Sequence, residues 1–593
     1  MTVHAHRLAA LRQSMAKLKL TALIIPRSDE FQGEYVPPHA ERLKWLTGFS
    51  GSWGQAVVMA KQAAIFVDGR YTVQVAKQVD RKLFAYEDLI KTPPSTWLAG
   101  KLKAGDRLGF DPWLTSVNEA RRLEATCKAA KATAVATPFN LVSAIWSDAP
   151  PPPATEIYEQ PLRYAGQSSA DKRKAISALL KDKKADALVL SDPASVAWVF
   201  NLRASDVPHT PFALAFAILH FNGTAEIFAD GARATPALRK SLGRSVRFVP
   251  PYMLLPQLKS LAKAKAAVVI DPAHVPQAIA TALSGALLIE AADPCTLPKA
   301  RKNRAEQAGA RAAQIRDGAA LANYLCWMET NAASGTLTEF AAQEKLLAFR
   351  IATGKLKDLS FGSISAAGPN AALPHYHVEG SKGRTIRGND IYLIDSGGQY
   401  QDGTTDVTRT IIIGTPSPEM KDRFTRVLKG MIAITVARFP EGTTGTHLDA
   451  LARNALWQGG YDFDHGTGHG VGSFLSVHEG PASISKRPSA PLQPGMIISN
   501  EPGYYKQGYY GIRTENLLLV TGPDKVKGAD RAMLGFETLT FAPIDRKLID
   551  ASLLTRVELQ WLDAYHAEVW KKLSPLVDAA TKPWLKKACA PLG

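Results

Sequence analysis

The sequence predicts a chain of mixed class: α/β through its first half, α+β through its second, closed by a helical tail. Three observations carry this. The chain has 593 residues, 46% of them hydrophobic and 21% charged; at about 100–200 residues per domain it holds roughly three to five domains, which excludes disordered and fibrous classes. Short β-rich runs alternate with helical patterns twice over. Proline and glycine punctuation then divides the chain into sections.

In residues 1–148 the runs Ala22 to Pro26, Ala56 to Met59 and Ala63 to Asp68 alternate with helix-period segments, as an α/β layer requires. The opening MTVHAHRLAALRQSMAKLKL is basic and helical in pattern, lacks an apolar signal core, and reads as the protein's own first helix. Pro150 to Pro153 then forbid helix and impose an extended linker. Residues 155–297 repeat the alternation of the first section, with a helix over Ala170 to Leu180, a strand over Ala187 to Leu190, and the strand-like ALAFAILHF. DALVLSDPASVAWVFNLR echoes TALIIPRSDEF…RLKWLTGF, which suggests an internal duplication of one domain type. Residues 298–545 open with an amphipathic helix over Pro298 to Ala333 and continue with strands and glycine-rich turns. In residues 546–593, Trp561, Tyr565 and Trp570 fall at near-helical spacing and are expected to pack on the preceding layer.

Composition excludes several function classes. No stretch reaches the roughly 18 uninterrupted apolar residues of a membrane span; the nearest, Phe212 to Phe221, is broken by His220. Cys127, Cys295, Cys326 and Cys589 show neither disulfide-scaffold density nor C-x-x-C metal spacing, so a cytoplasmic setting is the default. The formal charge of +17 divides into +12 over residues 1–300 and +5 over 301–593. Basic segments such as Asp171 to Lys184 lack aromatic interleaving, so they read as solvated helix faces, and no nucleic-acid partner is expected.

The chemistry concentrates between His375 and Glu515. In NDIYLIDSGGQYQDGTTDVTRTIIIG, strand runs Ile391 to Ile394 and Thr408 to Ile413 flank a turn; a hairpin centred near Tyr400–Gln401 would set Asp395 opposite Asp406. Two such carboxylates repel unless a cation lies between them or one stays protonated, so turn caps and a metal are the competing explanations. In Asp464-His465-Gly-Thr-Gly-His469-Gly-Val-Gly, alternate glycines would let the backbone approach a ligand while His465 and His469 project from it. His478-Glu479 follows nine residues on, Glu501-Pro502-Gly503 ends a strand, and Arg513 and Glu515 share one face of the next, where an ion pair is the ordinary reading. Asp395, Asp406, His469, Glu501 and Glu515 together supply four carboxylates and one imidazole. That is too many anionic oxygens for one structural zinc, and it suits an oxygen-rich dinuclear site of the Mn²⁺ or Co²⁺ type.

The order and spacing of LIDSG, TTDVTRT, HGTGHGVG, HEGP, NEPGYY and GIRTEN resemble the pita-bread metallopeptidases, and within them the aminopeptidase P (Xaa-Pro aminopeptidase) family in its three-domain form. RLKWLTGFSGSWGQAVV, DGRYTVQ, AWVFNLRASDVP and KNRAEQAGARAAQIRDGAAL extend the resemblance over nearly the whole chain. It implies two creatinase-like N-terminal α/β domains, a pita-bread catalytic domain over 298–545 and a C-terminal helical extension. It further implies that Asp406 and Glu515 bridge two divalent ions, Mn²⁺ first with Co²⁺ or Zn²⁺ as alternatives, that Asp395 completes one ion, and that His469 and Glu501 complete the other. His375 and His478 are then expected at the scissile bond with Arg513 and His465 in support, Glu501 as general base and then acid, and Tyr505 lining a proline pocket. One departure is that Pro374 precedes His375 where relatives commonly carry apolar residues, and an additional His377 follows; the role goes to His375 because it immediately precedes Tyr376. The implied reaction removes the first residue from peptides with proline in second position, through a metal-bridging hydroxide. A prolidase confined to Xaa-Pro dipeptides is the alternative, since the same five ligands would serve it. A homodimer is implied by the resemblance alone.

Overall fold

The computed structural model describes residues 2–592 apart from Glu379, Lys382 and Val526. They form two compact units, Met1–Pro161 with Gln167–Thr296, and Leu162–Gly166 with Leu297–Gly593.

The first unit contains two six-stranded sheets of one topology. In the first sheet the order is Ala85–Asp88, Ala63–Val67, Gln55–Met59, Ala22–Pro26, Arg107–Phe110, Thr133–Ala136. In the second it is Val246–Val249, Ala225–Phe228, Phe216–His220, Ala187–Leu190, Ala267–Ile270, Leu287–Glu290. In each, the strand that comes first in the chain pairs antiparallel with one neighbour and parallel with the other, so strand directions match as well as order. This is the duplication that the sequence echo suggests. Period-two alternation sorts the first strand between two cores: Leu23 and Ile25 meet Leu8, Leu11 and Met15 of the helix Val3–Lys17, while Ala22 and Ile24 meet Leu98, Leu123 and Cys127.

Not every basic residue of the first unit lies on a solvated helix face, contrary to what the charge pattern led one to expect. In the helix Ser169–Asp182, Lys172 and Arg173 are buried. The Lys172 ammonium donates to the Trp198 carbonyl at 3.1 Å and to Asn201 Oδ1 at 2.8 Å, and lies 4.5 Å from the Trp198 ring centroid. Only the remaining lysines of that helix face solvent, so part of the basic excess is structural.

In the second unit the expected long helix is broken. A short helix Thr296–Ala300 precedes Arg304–Asn331, because Asn303 and Glu306 form a capping box that starts the second helix afresh. A three-stranded sheet of Ile364–Ala367, Ile391–Ser396 and Val407–Ile412 and a six-stranded sheet containing Gly468–Gly470, Glu479–Ile484, Ile497–Asn500 and Asn516–Lys525 carry the carboxylate and histidine motifs. The helix Pro418–Thr435 covers them with Phe424, Val427, Leu428 and Met431.

The C-terminal helix Arg556–Leu573 enters the same core through Leu562, Tyr565, Val569 and Leu573, as the aromatic spacing predicts. Beside Tyr565, His566 is fully buried and its Nε2 accepts the Ile544 backbone N–H at 3.1 Å, so the ring is neutral with its proton on Nδ1. Burial, then the neighbouring Arg409 and Arg546 charges, push its pKa down from 6.5 to about 4. Between those values the unfolded chain binds a proton that the fold refuses. The His566 contribution is therefore complete above pH 6.5 and is lost as pH falls toward 4, by roughly 3 kcal/mol. Urea unfolding of wild type and His566→Gln at pH 7 and pH 4.5 is expected to show a steeper loss in the wild type.

Candidate active site

Each of the five carboxylate and imidazole residues stands at a strand end or on a short strand, where backbone pairing holds it still. Asp395 lies in Ile391–Ser396 and pairs across the ladder with Thr408, so it does not face Asp406 directly. The hairpin turn is centred one residue later than expected, because the Asp402 carboxylate at the turn is clamped by Arg316 through bonds of 3.0 and 2.8 Å. The resulting two-residue slip preserves parity, so Asp395 and Asp406 still share one face of the sheet.

His469 sits in Gly468–Gly470. Its Nδ1 donates to the Gly470 carbonyl at 2.9 Å, which leaves Nε2 for the carboxylates: 3.4 Å to Asp406 Oδ2 and 3.5 Å to Glu501 Oε1. Ligand atoms of Asp406, His469 and Glu515 all lie within 4.8 Å of one another. Glu501 follows Ile497–Asn500, fixed by its N–H on the Thr467 carbonyl at 2.8 Å and by the Ser499 hydroxyl at 3.2 Å. Glu515, 1% exposed, accepts the Thr408 hydroxyl at 2.7 Å.

Arg513 does not pair with Glu515, contrary to the expectation from strand alternation. Its guanidinium is buried and donates to Asp395 at 2.6 Å, the Tyr505 hydroxyl at 2.6 Å, Thr408 Oγ1 at 3.2 Å and the Pro374 carbonyl at 3.3 Å. The Tyr505 hydroxyl also lies 2.8 Å from His465 Nε2, whose ring is oriented by a 2.7 Å contact from Nδ1 to the Gly466 carbonyl. Thus Asp395, Arg513, Tyr505 and His465 form one chain of polar contacts. The His478 ring packs edge-on against His469 with centroids 4.3 Å apart. His375 is half-buried and follows Pro374, whereas His377 is exposed, with its ring against Gly362.

Two glycines of the HGTGHG motif stand where the sheet itself leaves no room for a side chain. A Cβ on Gly468 would lie 1.9 Å from the Ser499 carbonyl oxygen, and one on Gly470 would lie 2.1 Å from that of Glu479. These two glycines let neighbouring strands approach.

Four carboxylates in so small a volume are electrostatically costly. Burial, with mutual repulsion among Asp395, Asp406, Glu501 and Glu515, raises Glu515 well above the carboxylate range. Burial also raises Asp395, although Arg513 pulls against it. Glu501 is pushed up to about 7 by burial against the opposing pull of His469 and Arg513. For His469 burial favours the neutral ring, yet Asp406 and Glu501 outweigh it and lift its pKa to about 9. Asp395 Oδ1 and Glu515 Oε1 are buried with no hydrogen-bond donor among the described residues. Buried carboxylate oxygens without donors, beside further carboxylates gathered on a histidine nitrogen, are what a divalent-cation site requires, so the donor set fits the two ions that the ligand count implies.

Several residues that build the site escape inspection of the sequence. Thr408 bridges Glu515 and Arg513, Ser499 supports both His469 and Glu501, and Lys299 and Lys302 are buried around Glu479 next to His478. The local signal of Thr408 and Ser499 is a polar type inside an apolar strand, which does not name a partner, while Lys299 in the helix Thr296–Ala300 and Lys302 just after it look like ordinary basic residues.

Family models match in four consecutive stretches: creatinase/prolidase N-terminal domains at residues 7–142 and 148–306, metallopeptidase family M24 at 308–522, and the C-terminal region of peptidase M24 at 532–592. A protein of Coccidioides posadasii named "Probable Xaa-Pro aminopeptidase P" is 39% identical over 610 residues, covering 99% of each chain. One of Aspergillus fumigatus with the same name is 40% identical, covering 99% of this chain and 92% of the relative. A crystal structure of X-prolyl aminopeptidase from Caenorhabditis elegans, described as a cytosolic enzyme with a di-nuclear active site, superimposes over 100% of both chains with a TM-score of 0.95 at 34% identity. With two creatinase-type domains, an M24 domain and its C-terminal region in this order, the chain belongs to the Xaa-Pro aminopeptidase P family of M24 metallopeptidases.

Proposed function

We propose that this protein is a metal-dependent aminopeptidase that hydrolyses the N-terminal Xaa-Pro peptide bond and releases the first residue. The observation that carries the reading is the convergence of Asp406, His469 and Glu515, with the unsatisfied oxygens of Asp395 and Glu515, in the M24 part of a chain that matches aminopeptidase P relatives end to end.

Asp395, Asp406, His469, Glu501 and Glu515 would hold two divalent ions, which we assign as Mn²⁺ with Co²⁺ or Zn²⁺ as competitors. Bound there, the ions would supply Lewis-acid chemistry and balance the carboxylate charge. Glu501, half-buried with its carboxylate 3.5 Å from His469 Nε2, takes the proton of the attacking water and delivers it to the leaving proline nitrogen. His478, set against His469, and His375 donate hydrogen bonds to the oxygen that gains charge. Arg513 holds Asp395 and Tyr505 together, and through Tyr505 it orients His465, so that one buried cation ties a metal ligand to the wall of the proline pocket. An Xaa-Pro bond has no N–H, so a pocket shaped for the ring need supply no acceptor there.

The cytoplasm is the setting we assign, in line with the description of the nematode enzyme as cytosolic and with four unbridged cysteines. No helix among the described residues is long and apolar enough to cross a membrane. A homodimer is proposed on the family resemblance, and sedimentation velocity tests it.

Purified protein supplied with Mn²⁺ is expected to release the first residue from Xaa-Pro-Yaa tripeptides and to lose that activity on chelation. Cleavage limited to Xaa-Pro dipeptides would replace this reading by a prolidase.

Metal binding carries its own pH signature. His469 holds a proton below about 9 and Glu501 one below about 7, and a cation must displace both. Apparent Mn²⁺ affinity is therefore expected to climb as pH rises from 6 toward 9, by up to about tenfold per pH unit for each proton displaced. Calorimetric titration in buffers of different ionisation enthalpy counts the released protons; none released at pH 7 would contradict the assignment.

A further inference from the structure

Glu339 opens the helix Glu339–Ala352 and is completely buried, 0% exposed, yet it lies outside the metal-ligand set. Its Oε1 accepts the Ala367 N–H at 2.7 Å and the Asn370 amide at 3.0 Å. Its Oε2 accepts the Arg384 N–H at 2.7 Å and the Tyr376 hydroxyl at 2.9 Å. All of these donors lie between residues 367 and 384, the segment that carries His375. The Glu339 backbone N–H closes the same segment by donating to the Arg384 carbonyl at 2.9 Å.

The other side of the segment rests on the site. The Pro374 carbonyl accepts from Arg513 at 3.3 Å, and a Cβ on Gly511 would lie 1.8 Å from the Ala371 carbonyl oxygen, so the chain there is pressed against the strand Tyr510–Arg513. His375 is thus bracketed: the residue before it is tied to Arg513 and the residue after it to Glu339.

A buried carboxylate is expensive unless donors surround it. Here the donors come from one loop, so the carboxylate acts as a template for that loop's shape. From this bracketing we propose that Glu339 is a positioning residue for His375, acting through Tyr376. The inference rests on the assignment of His375 to the scissile carbonyl. A histidine held on both sides presents its N–H at a set place, and a misplacement of about 1 Å at such a donor costs on the order of 10²-fold in rate.

The test is a double-mutant cycle on the Mn²⁺-loaded full chain with an Xaa-Pro-Yaa peptide. Glu339→Gln turns one acceptor into a donor facing N–H and O–H groups, and is expected to lower kcat by about 10–100-fold. Because that variant risks folding poorly, Tyr376→Phe provides the milder step, with kcat expected to fall about fivefold while KM, metal content and Tm stay near wild type. His375→Ala is expected to lose about 10²-fold by itself. In that background Tyr376→Phe should cost nothing further, since the group it positions is gone.

A Tyr376→Phe loss that multiplies with the His375→Ala loss overturns the proposal, as does wild-type kcat in Tyr376→Phe beside a damaged His375→Ala. Wild-type kcat in His375→Ala would instead remove the His375 assignment, and the inference with it.

Discussion

Asp406→Asn is expected to lose bound metal and to lower kcat/KM by about three orders of magnitude, equivalent to ~4 kcal/mol of lost transition-state stabilisation. Asp406 is central in the cluster: its carboxylate lies 3.4 Å from His469 Nε2 and adds to the repulsion felt by Asp395, Glu501 and Glu515. Without metal, the substitution removes the charge that repels Asp395, Glu501 and Glu515 but also the one that favours the protonated His469 ring, so the two effects oppose and metal-free Asp406→Asn should unfold close to the wild-type temperature. With Mn²⁺ present the wild type should gain stability and the variant should not. Thermal unfolding of both proteins with and without Mn²⁺, beside elemental analysis, checks the pair of expectations. Full metal occupancy in the variant would contradict the assignment of Asp406.

Arg409→Met is expected to produce the largest loss of stability, about 4 kcal/mol, with activity falling alongside it. Arg409 is 1% exposed. Its guanidinium donates to the carbonyls of Thr408 and Glu515 at 2.8 and 2.7 Å, to Asn516 Oδ1 at 2.8 Å, to the carbonyls of Ala542 and Pro543 at 3.0 and 3.2 Å, and to the Tyr565 hydroxyl at 2.8 Å. One side chain therefore fastens the backbone on which Glu515 stands to the C-terminal helix. Methionine fills the volume but leaves buried acceptors without a donor, at a cost of about 1–3 kcal/mol for a buried group left unsatisfied. Urea unfolding measures the loss. Tyr565→Phe, which removes only one end of the tie, should cost about 1 kcal/mol. An Arg409→Met protein as stable as wild type would show that the C-terminal extension is held by its apolar contacts alone.

The site was legible in the sequence where its signal was local. Asp395 and Asp406 stand out because carboxylates interrupt apolar strand runs, and His469 because a histidine sits in a glycine-rich strand. The aromatic spacing of Trp561, Tyr565 and Trp570 likewise announced a packed helix, and Tyr565 is in the core. Where partners were far apart, local reading failed. Arg513 shares a strand face with Glu515 two residues away, yet its charge is spent on Asp395, 118 residues distant. Lys172 and Arg173 resemble any solvated helical pair until Trp198 and Asn201 are folded over Lys172. Gly468 and Gly470 of HGTGHG signal close approach, but only the folded sheet shows that strands make it.

By itself the sequence determined the order of α/β, α+β and helical sections, the inventory of candidate metal-binding groups and their placement on or beside strands, because residue type, period and spacing are properties of short segments. Tertiary structure alone decided which buried charge answers which, the hairpin register that keeps Asp395 and Asp406 on one face, and the placement of Glu339 and Arg409 beneath the site. The physical reason is that a buried ion or hydrogen-bonding group must be satisfied by whatever the closed fold brings within about 3 Å of it, and sequence neighbours seldom supply that.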